Sequence, residues 1–184
     1  MILVRLIVWD GTITCVYADA TSDNFSYKQE LYYFCTQESV IMENQLKFKS
    51  IIPIQVRFSD VDMLGHVSNT VYQNYYDAGK LHYFDEVLPQ LDFINIGLVG
   101  AAIKIDYLKP IFIKTSILVE THVIRIGNKS LTMEHQLVEE HSGEVLSTCT
   151  VVLVCYDIKG KKSIPVPEKW KEQIKRYDLQ VIIK

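Results

Sequence analysis

The chain has 184 residues, of which 48% are hydrophobic, 22% charged and 11% aromatic. That is enough apolar matter for one packed domain with at most an appendage, and it excludes wholesale disorder. Nineteen basic and 22 acidic residues leave a net charge of −3 with no basic block, which excludes general nucleic-acid binding, and no apolar run approaches the roughly 20 residues that span a bilayer.

Residues 1–41 carry two basic and five acidic groups, the whole of the net charge, while all five histidines and all five prolines lie after them. The composition therefore shifts near Met42. MILVRLIVW makes a poor secretory leader, because Arg5 interrupts it and Asp10-Gly11 ends it. ILVRLIVW and TITCVYA flank Asp10-Gly11, a strong turn pair, and so predict a β-hairpin. The alternatives left open are an N-terminal extension over 1–41, or a natural start at Met42 with the preceding stretch not part of the natural product. Neither puts chemistry there.

From Met42 to Lys184 the pattern predicts one α+β unit. LKFKSIIPIQVRF (46–58) is β-branched and aromatic, and Pro53 suits an edge position or a bulge better than a central strand. A polar loop, SDVDMLGHVSN, leads into a helix over 69–87, where Val71, Tyr72, Tyr75, Tyr76, Gly79, Tyr83, Phe84 and Val87 recur at three- and four-residue steps. Ser68 or Asn69 can cap it. Gly79 costs the helix about 1 kcal/mol against Ala, an expense that close packing on a sheet would explain.

Four strand-like segments follow, over 97–110, 112–127, 129–141 and 144–158. Gly127-Asn128 and Ser142-Gly143 read as hairpin turns, so consecutive strands are antiparallel. Ile117, Val119, Thr121 and Val123 share one face of the second segment. A terminal helix is predicted near 167–178. One long helix cannot cover both faces of a five-stranded sheet, so the expected architecture wraps the sheet around it.

Four cysteines, at 15, 35, 149 and 155, include no CxxC pair, and no metal-ligand spacing appears among the histidines. The expectation is buried free thiols in a reducing, cytoplasmic setting, and no bound metal or cofactor.

The chemistry concentrates between Arg57 and Phe84. Asp60, Asp62 and His66 precede a helix N-terminus, whose unpaired N–H groups favour negative charge. Such a place can stabilise an oxyanion in acyl transfer, and a nearby carboxylate can attack a carbonyl or activate water.

RFSDVDMLGHVSNTVYQNYYDAGKLHYF resembles the signature of hotdog-fold acyl-CoA thioesterases of the 4-hydroxybenzoyl-CoA thioesterase type. The matching residues are Arg57, Phe58, Asp62, Gly65, His66, Val67, Asn69, Tyr72, Tyr76 and Asp77. IDYLKPI (105–111) resembles the family's Tyr-x-x-Pro strand end. The resemblance runs from about residue 48 to 158. It departs at Ser68, where many relatives have Asn, and at Lys114-Thr115-Ser116, where many have Gly-Asp.

The resemblance implies a curved antiparallel sheet around a long central helix, assembled as a homodimer or homotetramer, and hydrolysis of an acyl-CoA to free acid and CoA. By residue, it implies that Asp62 is the catalytic carboxylate, acting as nucleophile or general base. It implies that Gly65 lets the backbone approach the thioester and that the Asn69 N–H polarises the carbonyl. His66 would shape the pocket or help position water, and Asp77 would be an acidic helix residue of the site, with pairing across the dimer one way to reach it. Tyr72 and Tyr76 read first as core residues that could also line an acyl channel. Coenzyme A would enter only as part of the substrate, with Lys104, Lys109, Lys114, Arg125 and Lys129 as candidates by charge alone. Competing functions are an acyl-carrier-protein thioesterase, a non-catalytic acyl-CoA binder on the same fold, and a dehydratase on a related one.

Overall fold

The computed structural model describes residues 4–9, 12–17, 47–89, 91 and 94–183, with side chains from Lys47 onward. The chain divides into two compact units, 1–46 and 47–184. The expected composition boundary at Met42 lies outside the described residues, as does the Asp10-Gly11 turn. In the first unit, β1 (Val4–Trp9) and β2 (Thr12–Tyr17) pair antiparallel with Trp9 opposite Thr12, which is the hairpin that the alternation around Asp10-Gly11 predicts.

The second unit opens with β3 (Ser50–Ile54), a 3₁₀ turn (Phe58–Asp60) and helix α1 (Asn69–Val87). The strands β4 (Ile96–Tyr107), β5 (Ile117–Ile126), β6 (Ser130–Glu139) and β7 (Val145–Asp157) follow. The five long strands lie in the order β3-β5-β6-β7-β4, every neighbouring pair antiparallel. Two short additions extend the expected five-stranded sheet. β8 (Lys162–Ser163) pairs with β7, and β9 (Ile182–Ile183) runs parallel to β5. The terminal helix α2 spans Glu168–Tyr177. Among the described residues no helix is long and apolar enough to cross a membrane.

Segment 112–127 becomes a strand only from Ile117, because Phe112–Thr115 closes a turn with Thr115 N–H donating to the Phe112 carbonyl at 2.9 Å. Pro53 sits on β3, which among the described residues pairs only with β5 and so is an edge strand, where proline is tolerated. Register shifts leave an extra residue in β4, β5 and β7 and mark bulges that bend the sheet.

Helix α1 lies across β3 and β5. Its Gly79 permits this: a Cβ there would stand 2.4 Å from Val119 Cγ1 and 2.8 Å from Thr121 Oγ1. The interior forms two apolar clusters. One gathers Tyr83, Phe84, Met133 and Leu153 with Trp170 and Ile174 of α2; the other gathers Val67, Tyr72, Tyr75, Tyr76, Ile111 and Val119. Between them runs a polar rung, in which Thr121 Oγ1 and His135 Nδ1 lie 2.9 Å apart and His135 faces Cys149 across the ladder. Burial drives the His135 imidazole down to about 3, and the Lys80 charge adds to that, so it is neutral at physiological pH. The second cluster lies at the N-terminal end of α1 and forms the floor on which the site is built.

Candidate active site

The loop before α1 is pinned at Asp60. Its Oδ2 accepts the Arg57 N–H at 2.8 Å and the Tyr75 hydroxyl at 2.7 Å, and its carbonyl accepts the Ser68 N–H at 2.9 Å. Burial pushes the Asp60 carboxyl up, but these hydrogen bonds and the Arg57 charge outweigh it and hold the carboxyl below its ordinary range. Asp60 therefore serves as a loop clamp.

Two residues on, the chain turns tightly. The Gly65 N–H donates to the Asp62 carbonyl and the Asp62 N–H to the His66 carbonyl, both at 3.0 Å. Gly65 has φ +84°, a conformation that costs a side-chain-bearing residue. Asp62 Oδ1 accepts the Leu64 N–H at 2.8 Å. Oδ2 stands 3.9 Å from His66 Nδ1, beyond hydrogen-bonding distance, in a side chain that is 34% exposed. One carboxylate oxygen thus holds the turn and the other is open.

Ser68 occupies the N-cap position of α1 by its backbone angles, but its hydroxyl faces the Thr70 hydroxyl at 3.1 Å and caps no N–H. Asn69 is the first helical residue. Among the described residues the N–H groups of Asn69 and Thr70 have no acceptor. The helix therefore presents uncapped donors, with its dipole behind them, beside the Asp62 turn.

A segment some forty residues downstream closes the site. The Val67 N–H donates to the Ile111 carbonyl at 2.7 Å, and His66 and Phe112 form an antiparallel bridge. This draws the end of β4 against the loop. The resulting groove, about 520 Å³, is lined by Asp62, His66, Val67, Asn69, Tyr72, Tyr107, Leu108, Lys109 and Pro110. The Tyr72 and Tyr107 rings meet edge to face at 4.9 Å. Of the sequence candidates, the fold brings together Asp62, His66, Asn69 and Tyr72, with Gly65 shaping the turn.

Tyr76 and Asp77 do not line the groove. Tyr76 is 2% exposed, and its hydroxyl donates to Ser147 Oγ at 2.7 Å inside the core. Asp77 pairs with Lys80 one helical turn on. Tyr107, Leu108 and Pro110 are not among the residues that the sequence singles out, although the Tyr-x-x-Pro match marks their segment. Lys109, a candidate by charge, does line the groove and is paired with Glu144. Among the described residues no group of three or more His, Cys, Asp or Glu side chains could hold a metal ion.

A five-stranded antiparallel sheet around one long helix, with a carboxylate turn at the helix start, is the hotdog fold of acyl-CoA thioesterases. A family model of the thioesterase-like superfamily matches residues 56–174, and the chain belongs to that superfamily. It is 32% identical to a thioesterase from Thermus thermophilus whose crystal structure was solved with coenzyme A and Zn. That match covers 72% of this chain and 96% of the other, with a TM-score of 0.64. It is 21% identical over 125 residues to the long-chain acyl-CoA thioesterase FadM of Escherichia coli (strain K12), covering 67% of this chain and 95% of that protein. It is 26% identical over 132 residues to the uncharacterised protein YsmA of Bacillus subtilis (strain 168), covering 72% of this chain and 89% of that one.

Proposed function

We propose that the chain hydrolyses an acyl-CoA thioester to free acid and CoA, with Asp62 as the catalytic carboxylate and the start of α1 as the oxyanion site. The observation that carries the reading is that the open Asp62 carboxylate and Asn69 at the uncapped helix start line one groove. With the thioester carbonyl between them, the Asn69 N–H stabilises the charge that develops on oxygen. Asp62 Oδ2 either attacks the carbonyl carbon, forming a mixed anhydride that water then opens, or takes a proton from the attacking water. In both routes the C–S bond breaks and the thiolate leaves as CoA. Gly65 keeps the turn narrow, and His66, Tyr72 and the apolar wall of Val67, Leu108 and Pro110 shape the acyl entrance. Tyr76 braces the helix from within the core, and Asp77, which does not line its own chain's groove, would serve as an acidic residue of the site across the dimer.

The working unit is a homodimer or homotetramer of a cytoplasmic enzyme. β4 is an edge strand with Val99, Ile103 and Tyr107 exposed along it, and Tyr107 at its end lines the groove. A second copy pairing there would remove an open edge of the kind that natural sheets cover.

The test is CoA release from acyl-CoAs of short to long chain and from benzoyl types, comparing wild type with Asp62→Asn after both are shown to fold and assemble alike. A loss of about 10²-fold or more, roughly 2.7 kcal/mol of barrier, supports the reading, and the panel names the substrate class. A wild type that binds acyl-CoA without turning it over makes the chain a binder, and turnover of carrier-protein thioesters alone moves the substrate to that class.

A further inference from the structure

We infer that Tyr107 is a positioning residue that fixes and polarises the first peptide of α1, an assignment that rests on the thioesterase reading above. Tyr107 ends β4, and its hydroxyl reaches across the groove to donate to the Asn69 carbonyl at 3.1 Å. Its ring is held edge to face against Tyr72, one turn along α1, and its backbone is locked into the sheet opposite Ser147. Ser147 in turn donates from Oγ to the Asp106 carbonyl at 2.9 Å and accepts the Tyr76 hydroxyl. The hydroxyl therefore stands on rigid sheet while its acceptor stands on the helix start.

The Asn69 carbonyl belongs to the same peptide unit as the Thr70 N–H, an unpaired donor of the first turn that stands next to the Asn69 N–H and joins it here as a second donor to the oxyanion. A hydrogen bond accepted by the carbonyl draws electron density from that unit and makes its N–H a stronger donor, by about 10–30% per bond. The same bond fixes the tilt of the first turn, and with it the direction of the Asn69 N–H. Removing a whole oxyanion donor costs about 10²–10³-fold in rate. Ten to thirty percent of that effect on a logarithmic scale is a fall of about 2- to 8-fold. The Tyr107 hydroxyl touches neither Asp62 nor any other carboxylate among the described residues, so its effect passes through the helix start.

The test compares wild type with Tyr107→Phe, which keeps the ring and its contact with Tyr72. Steady-state kinetics on the best thioester of the panel is read beside the amide ¹H–¹⁵N shifts of Asn69 and Thr70 in the free protein. The expected result is a kcat lower by about 2- to 8-fold, a KM essentially unchanged, an unchanged melting temperature, and an upfield move of the Thr70 amide proton. A structural role alone would lower the melting temperature and leave the kcat of the folded enzyme intact. An unchanged kcat in an active enzyme, or a lowered kcat with an unmoved Thr70 amide, overturns the assignment. A wild type inactive on every thioester refutes the functional reading instead, and the amide shift then decides by itself whether the hydroxyl acts on the helix start.

Discussion

Replacing Gly79 with Ala sets two opposing effects against each other. In an isolated helix the change is favourable by about 1 kcal/mol. In this fold the new Cβ would lie 2.4 Å from Val119 Cγ1, 2.8 Å from Thr121 Oγ1 and 3.3 Å from Val119 Cβ. Carbon contacts are comfortable at about 3.5–4.0 Å, so the helix would have to lift by about 1 Å. Neither neighbour can step aside cheaply. Val119 is fully buried and β-branched, with few rotamers open to it, and Thr121 Oγ1 is held at His135 Nδ1. Overpacking of this kind costs about 1–3 kcal/mol, and a clash with two side chains belongs at the upper end. Set against the helix gain, the net loss is about 2 kcal/mol, or about 4–8 °C in Tm for a chain of this size. Urea unfolding followed by circular dichroism measures it. A Gly79→Ala protein as stable as wild type, or more so, would refute the packing argument. The pair Gly79→Ala with Val119→Ala should show a coupling of at least about 1 kcal/mol, because the second change removes Val119 Cγ1, the atom nearest the new Cβ.

Other perturbations separate conformation, charge and burial. At Gly65 an added Cβ meets nothing within 4 Å but would have to adopt φ +84°. Gly65→Ala should therefore cost about 1–2 kcal/mol through the backbone alone, while Gly65→Asn, which tolerates that region better, should retain more kcat; equal losses would refute a conformational cause. Asp178 is buried; its Oδ2 accepts the Tyr83 hydroxyl and, at 2.9 Å, the Val123 N–H, while Oδ1 has no partner among the described residues. Burial raises its carboxyl above the ordinary 3.8, against those hydrogen bonds and the charges of His122 and Lys49. The native state thus holds this proton more tightly than the unfolded chain. Its contribution is complete below about pH 3.8 and is lost as pH rises through the native value. Asp178→Asn should accordingly gain on wild type as pH climbs from 3.8, and a flat difference across that range would count against the burial argument. Burial also pushes the Cys149 and Cys155 thiols up to about 12 and about 11. Alkylation at pH 8 mapped by mass spectrometry should leave both unmodified in native protein and modify both in urea; labelling of native Cys149 would contradict its burial.

Much of this molecule could be read from local pattern. The 3.6-residue recurrence from Val71 to Val87 places α1 at Asn69–Val87, because side chains on one helix face must meet the core at that period. Turn chemistry at Gly127 and Gly143 fixes which strands are consecutive and antiparallel, and Gly79, a costly residue in mid-helix, by itself announces a close helix–sheet approach. Asp62 and Gly65 stand out because a carboxylate, a turn glycine and a helix start share one short segment. Contacts that join distant segments are not written in local spacing, and these only the tertiary structure decided. Tyr76 shares a helix face with Tyr72, but the rise of about 6 Å over four residues carries it past the groove to Ser147, and the next step of about 100° turns Asp77 to Lys80. Tyr107, Leu108 and Pro110 reach the groove because the Val67 N–H finds its acceptor at Ile111. Ser68 sits at the cap position yet turns its hydroxyl to Thr70, leaving the first N–H groups of α1 free. Periodicity tells which face of an element is buried; which partner it is buried against depends on packing and on long-range hydrogen bonds, and the groove at the start of α1 is made of those.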